Sequence, residues 1–319
     1  MKKYVLLLLS VLGILMAFLL VRAWMNHGLD SLAEDEINLV EIQPEPSGES
    51  KSTEASGSVE PVAWEEPFLF VDANSSTMAT RILVPEGYTR IEAEPGSLLT
   101  FVRDYPLYED GSAVHLYDGS EKYNQSAHVA VFQLPIEERD LQQCADSIMR
   151  MYAEYFRATG QYERIQFHFT NGFLAEYSKW REGYRISVEG NSVSWVQSAA
   201  YDDSYEAFVS YMKTVFAYAG TLSMEQESES IALSEICPGD VFLKGGSPGH
   251  VVMVVDLCEN EQGDKAFLLA QGYMPAQEFH ILKNPLHEED PWYYESEIKY
   301  PLSTPEYVFP EGSLKRLNY

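Results

Sequence analysis

Cys144, His250 and Gln271 are the residues of this chain whose types and setting can do chemistry together. A cysteine becomes a nucleophile once its proton is removed. A neutral imidazole can take that proton near physiological pH. A side-chain carbonyl bound to the second ring nitrogen can then fix the tautomer of the base. His250 stands in the segment Cys237-Pro-Gly-Asp-Val-Phe-Leu-Lys-Gly-Gly-Ser-Pro-Gly-His-Val-Val-Met-Val-Val-Asp256. That segment reads as a strand over 241–244, a glycine-rich turn, and an apolar strand over 251–256. The histidine sits at the mouth of the second strand.

Cys144 belongs to a helical run over 140–159. Leu141, Cys144, Ile148, Met151, Tyr152, Tyr155 and Phe156 fall on one face at three- and four-residue spacing. Asp140 is the expected N-cap, which sets Cys144 in the first turns. Unpaired amides and the helix dipole favour a thiolate there. Gln143 and the Cys144 backbone N–H are the expected oxyanion donors. A buried core cysteine is an equally good reading, because free cysteine is among the most buried residue types. The other histidines have weaker settings. His115, His128 and His168 lie in strand-like runs, His280 in a proline- and aromatic-rich tail, and His287 on an exposed stretch.

The partner of His250 follows from reach. Asp256 is six residues further along the same strand, roughly 20 Å away at about 3.3 Å per residue. It cannot orient the imidazole. The next strand-like run, 266–271, returns through an acidic turn and folds about Glu261, which brings Gln271 beside Val251 and His250. A one-residue slip would change the face on which Gln271 lies.

The surrounding elements mix both periods. Strand-like runs are 81–84, 113–117, 128–133, 165–170, 193–197, 241–244, 251–257 and 266–270. Helix-like runs are 98–103, 140–159 and 205–219. Antiparallel strands gathered after the helices predict an α+β fold. Trp180, Trp292 and Tyr273 are candidate substrate-binding aromatics, with core packing as the competing use. No spacing matches a metal site, and no phosphate loop or dinucleotide fingerprint occurs. No cofactor is expected.

The chain has 319 residues, with 22 Lys+Arg against 49 Asp+Glu, a formal net charge of -27. This argues against nucleic acid, whose binding relies on neutralising phosphates. Residues 1–24 read as an uncleaved signal anchor. Lys2 and Lys3 precede about 18 apolar residues, enough to span a bilayer as a helix. The basic flank places the body outside the cytoplasm. Residues 25–75 read as an acidic flexible linker, and 76–319 as one extracytoplasmic domain. Three cysteines leave at least one thiol unpaired. A Cys237–Cys258 bond and three reduced thiols both fit the spacing.

Two resemblances add to this. Gln143-Cys144, Pro238-Gly239-Asp240 leading to Gly249-His250-Val251, and then Gln271 resemble the papain-like amidases of bacterial envelopes, the CHAP and NlpC/P60 groups. That resemblance implies an antiparallel sheet packed against helices, with the cysteine starting a helix and the histidine starting a strand. The chain departs from those groups in its long Cys-to-His interval and in glutamine as third member. Arg139-Asp-Leu-Gln-Gln-Cys-Ala-Asp-Ser-Ile-Met-Arg150, Trp180-Arg-Glu-Gly-Tyr-Arg185, Gly246-Ser-Pro-Gly-His-Val251, Leu269-Ala-Gln-Gly-Tyr-Met-Pro-Ala-Gln277 and Thr304-Pro-Glu306 are similar to an exported bacterial family, domain of unknown function 4846. That second resemblance implies bacterial origin and an exported domain, and it supplies no activity.

The expectation is a membrane-anchored extracytoplasmic cysteine hydrolase, an amidase or peptidase acting on a cell-envelope amide. A peptidoglycan peptide is the candidate substrate. The alternatives are a non-catalytic envelope-binding module and a structural envelope protein.

Overall fold

The structure is a computed structural model and describes residues 69–319. The expected anchor over 1–24, and the expected linker as far as residue 68, lie outside the described residues. Among the described residues no helix is long and apolar enough to cross a membrane.

The strands are β1 (Tyr88–Arg90), β2 (His128–Val131), β3 (Gln166–His168), β4 (Leu174–Glu176), β5 (Tyr184–Glu189), β6 (Ser192–Gln197), β7 (Ser228–Ser230), β8 (Val241–Lys244), β9 (His250–Asn260), β10 (Lys265–Gln271), β11 (His280–Leu282), β12 (Tyr293–Tyr294), β13 (Leu302–Ser303), β14 (Val308–Phe309) and β15 (Leu314–Leu317). The helices are α1 (Met78–Arg81), α2 (Leu98–Arg103), α3 (Cys144–Ala158), α4 (Tyr177–Arg181), α5 (Tyr205–Tyr218) and α6 (Thr221–Gln226). Nine strands form one antiparallel sheet in the order β2-β11-β10-β9-β8-β15-β7, with β1 also on β9 and β12 also on β10. The fold is α+β.

β9 explains the unbroken apolar run of the opening segment. It is buried on both faces, so alternation with polar residues is not required. Val251, Met253 and Val255 pack with Ile148, Met149 and Met151 of α3. Val252, Val254 and Leu257 pack with Phe242, Phe267, Leu269 and Phe309 on the other face.

The register between β9 and β10 differs from a simple fold about Glu261. Lys265 pairs with Glu259, a bulge follows at Leu268/Leu269, and Ala270 pairs with Met253. Continuing that register sets Gln271 across from Val252, because directly opposed residues share a face. His250 lies two residues before Val252 and therefore on the same face. The expected pairing with Val251 would have turned Gln271 away.

Two further expectations change. α3 begins at Cys144, capped by Gln143 with extended backbone, and not at Asp140. Tight turns at Arg139–Leu141 and Leu141–Gln143 hold the preceding residues out of the helix. Phe70 and Val71, read as linker, pack against the core, and Val71 bridges to Ile82. The three cysteines are free thiols. The chain turns at Cys237–Asp240 before it can continue the β8–β9 ladder toward Cys258. Cys237 accepts a hydrogen bond from Arg316, whereas Cys258 lies between β1 and β10.

Candidate active site

The β8–β9 turn delivers His250. Lys244 pairs with His250 at its base. Gly249 has to be glycine, since a Cβ there would lie 2.4 Å from the Gly246 carbonyl oxygen and 2.5 Å from Thr221 Oγ1. His250 is only 2% exposed. Its ring packs against Tyr273 at 4.7 Å, Tyr307 at 4.9 Å and Phe309 at 5.9 Å between centroids. Burial drives its pKa down to about 4, against the hydrogen bond to Gln271, which favours the charged form. The imidazole is therefore neutral at physiological pH.

Gln271 is fully buried. Its Oε1 accepts from His250 Nε2 at 2.8 Å, and its Nε2 donates to Glu306 Oε2 at 2.7 Å. An amide oxygen only accepts. His250 thus carries its proton on Nε2 and leaves Nδ1 as the basic nitrogen. The structure brings the two residues named from the sequence into hydrogen-bond contact and adds Glu306, whose only signal was its place in the Thr304-Pro-Glu306 run. Asp256 is held elsewhere. It accepts from Arg90 Nε at 2.6 Å and from Arg103 Nε at 2.9 Å.

Cys144 arrives from the helix side. Gly272, the residue after Gln271, lets α3 seat on the end of β10. A Cβ at that position would meet Ser147 Oγ at 2.3 Å and the Gln143 carbonyl oxygen at 3.0 Å. The backbone amides of Ala145, Val251 and Cys144 itself lie near the thiol and favour its charged form. The sulfur therefore lies beside the peptide unit that joins His250 to Val251. Alternation sends Val251 toward α3 and His250 toward the opposite face, so thiol and imidazole flank that peptide unit from two sides. Burial, followed by the Asp146 carboxyl, pushes the thiol up to about 12, and the three backbone amides pull the other way. The resting group is a neutral thiol.

A cavity of about 280 Å³ opens onto Cys144, lined also by Gln143, Asp146, Thr221, Pro248 and Met274. Gln143 Nε2 donates to Asp140 Oδ1 at 3.0 Å, and Ala276 N donates to the same oxygen at 2.7 Å. Asp140 thus pins Gln143 to the 274–276 loop instead of capping the helix. Asp146 Oδ2 accepts from the Gln143 backbone N–H at 3.1 Å, and burial raises its pKa well above the usual carboxylate range. A larger cleft of about 380 Å³, lined by Leu286, Tyr293, Tyr294 and Ile298, lies apart from Cys144 and His250 in its lining residues.

Of the candidate aromatics, only Tyr273 lies at this site. Its hydroxyl donates to the Glu306 carbonyl at 3.3 Å. Trp180 and Trp292 do not join it. Trp180 is buried beneath the Arg185 guanidinium at 4.4 Å. Trp292 is fully buried and donates Nε1–H to the Leu83 carbonyl at 2.8 Å. Among the described residues no group of three or more His, Cys, Asp or Glu is arranged to hold a metal ion.

No curated protein and no solved structure matches the chain. The family model described as domain of unknown function (4846) matches residues 78–316. With three quarters of its length inside that match, the chain belongs to the family of domain of unknown function 4846.

Proposed function

We propose that this protein is a membrane-anchored, extracytoplasmic cysteine hydrolase of papain-like design, an amidase or peptidase acting on a bacterial cell-envelope amide. The peptidoglycan peptide is the candidate substrate. One observation carries the reading. A tautomer-fixed His250–Gln271 pair, 2.8 Å between Nε2 and Oε1, adjoins the peptide unit whose Val251 amide lies near the thiol of the helix-starting Cys144. Location outside the cytoplasm rests on the basic start and apolar run of residues 1–24.

In this reading Cys144 turns from the Val251 amide toward His250 Nδ1 and gives up its proton there. The sulfur attacks the amide carbon. The oxyanion takes hydrogen bonds from the Cys144 backbone N–H and the Gln143 side chain. Collapse breaks the C–N bond, and the proton on Nδ1 leaves with the amine. A water deprotonated by His250 then hydrolyses the thioester and restores the thiol.

A second reading, a non-catalytic envelope-binding module on the same scaffold, draws on the neutral thiol and on its approach from the opposite face of β9. Alkylation of Cys144 separates the two. If His250 takes the thiol proton, His250→Ala lowers the Cys144 alkylation rate at pH 7.5 at least about a hundredfold, the lower end of a general-base contribution. An alkylation rate that ignores His250 favours the binding module and counts against the hydrolase.

A further inference from the structure

Polar side chains behind His250 form a continuous row whose proton positions are dictated from its far end. Lys122 is 6% exposed and His280 is fully buried. Lys122 Nζ donates to Glu306 Oε2 at 2.5 Å and to His280 Nε2 at 3.2 Å. An ammonium has only donors. His280 Nε2 must therefore be bare, with the ring proton on Nδ1. That nitrogen duly meets the Glu278 carbonyl oxygen at 2.8 Å. Glu306 Oε2 then accepts from both Lys122 and Gln271, and Oε1 accepts from Asn124 Nδ2 at 3.3 Å.

Gln271 is the link that can face either way. Its amide could present nitrogen or oxygen to His250 with little change in shape. Two acceptors stand on its nitrogen side: Glu306 Oε2 at 2.7 Å and His280 Nε2 at 3.4 Å. A flipped amide would aim its oxygen at both and leave its nitrogen against His250. Burial makes such a mismatch costly.

We propose that Glu306, held by Lys122, is the positioning residue of this site. It fixes the amide of Gln271 and through it the Nε2–H tautomer of His250. The Glu306 carboxylate reaches His250 through Gln271, so its role is to hold the base and not to contact a substrate. The value of this device for catalysis rests on the hydrolase reading. The tautomer itself does not.

The experiment reads the tautomer directly by ¹⁵N NMR of the histidine rings in the full chain. In the wild-type protein His250 Nδ1 shows the bare-nitrogen shift and Nε2 the protonated shift. Glu306→Gln offers Gln271 an amide in place of a carboxylate. It gives a mixture of both His250 tautomers, with the wild-type preference weakened at least about tenfold, as expected for one charge-assisted hydrogen bond. Lys122→Met is the second variant and shifts His280 and His250 together. Asn124→Ala removes the Oε1 contact, together with the Asn124 Oδ1 bonds to Ser126, and keeps the wild-type pattern of His250. An unchanged His250 tautomer in both Glu306→Gln and Lys122→Met overturns the proposal. The outcome is separable from failure of the hydrolase reading: a fixed tautomer that Glu306 controls, in a protein whose Cys144→Ala variant behaves as wild type toward envelope amides, sinks the hydrolase and keeps the positioning role.

Discussion

Replacing Gly272 with alanine tests the contact that brings Cys144 to the sheet. Gly272 is not held at positive φ, so an alanine there is conformationally permitted. Such a change normally stabilises a protein by about 0.4–1 kcal/mol through the unfolded state. The structure reverses that sign. The new Cβ would lie 2.3 Å from Ser147 Oγ, 2.9 Å from Ser147 Cβ and 3.0 Å from the Gln143 carbonyl oxygen. Ser147 can rotate its hydroxyl away but not its Cβ, and the Gln143 carbonyl is backbone at the helix cap. Overpacking of this kind costs about 1–3 kcal/mol, so Gly272→Ala is expected to be destabilising by about 1–2 kcal/mol net. Ser147→Gly removes the two closest atoms. Its hydroxyl has no hydrogen-bond partner among the described residues, so that variant loses mainly helix propensity, about 0.5–1 kcal/mol. Urea denaturation of the wild type, both single variants and the double variant gives the cycle. The double variant should recover about 1 kcal/mol relative to the sum of the singles, in the range for residues in contact. Stabilisation by Gly272→Ala, or strict additivity, would refute the seating of α3 on the end of β10.

The remaining predictions use the same buried groups. His250, depressed to about 4, contributes stability that is complete above the unfolded value near 6.5 and is lost as pH falls toward 4. Between pH 7 and 4.5 it should remove about 2–3 kcal/mol, and His250→Asn should lose correspondingly less over that interval in urea titrations. Cys144, raised to about 12, should react with iodoacetamide at pH 7 on the order of a thousandfold more slowly than free cysteine, because its thiolate fraction is smaller; mass-spectrometric time courses check this. Asp256→Ala leaves Arg90 and Arg103 without their shared carboxylate and should cost about 3–5 kcal/mol, while the His250 dependence of Cys144 alkylation persists in whatever fraction stays folded.

Much of the site was legible because its signals are local. The run Val251 to Val255 and the glycines before it mark a buried strand with His250 at its mouth. Reach alone excluded Asp256, and Gln271 was found from the return of the next strand. The bulge at Leu268/Leu269 was not legible, since it reflects how two buried faces are filled, and it is what puts Gln271 on the side of His250. Asp140 looked like a cap by residue type, but a tertiary bond to Ala276 claims its carboxylate. Trp180 and Trp292 carry no sign in the sequence that separates a groove from a core. Lys122 and Glu306 stand 184 residues apart, and no periodicity connects them. β5 was not read as a strand, although β6, with which it pairs, was.

The hydrolase reading stands or falls on one comparison. The full-length wild-type protein and its Cys144→Ala variant, matched for thermal stability, are incubated with purified peptidoglycan, and released fragments are analysed by mass spectrometry. The account predicts peptides with new carboxyl and amino termini from the wild type and none from Cys144→Ala. Identical products from both proteins, or no cleaved amide with folded wild type between pH 5 and 9, would contradict it.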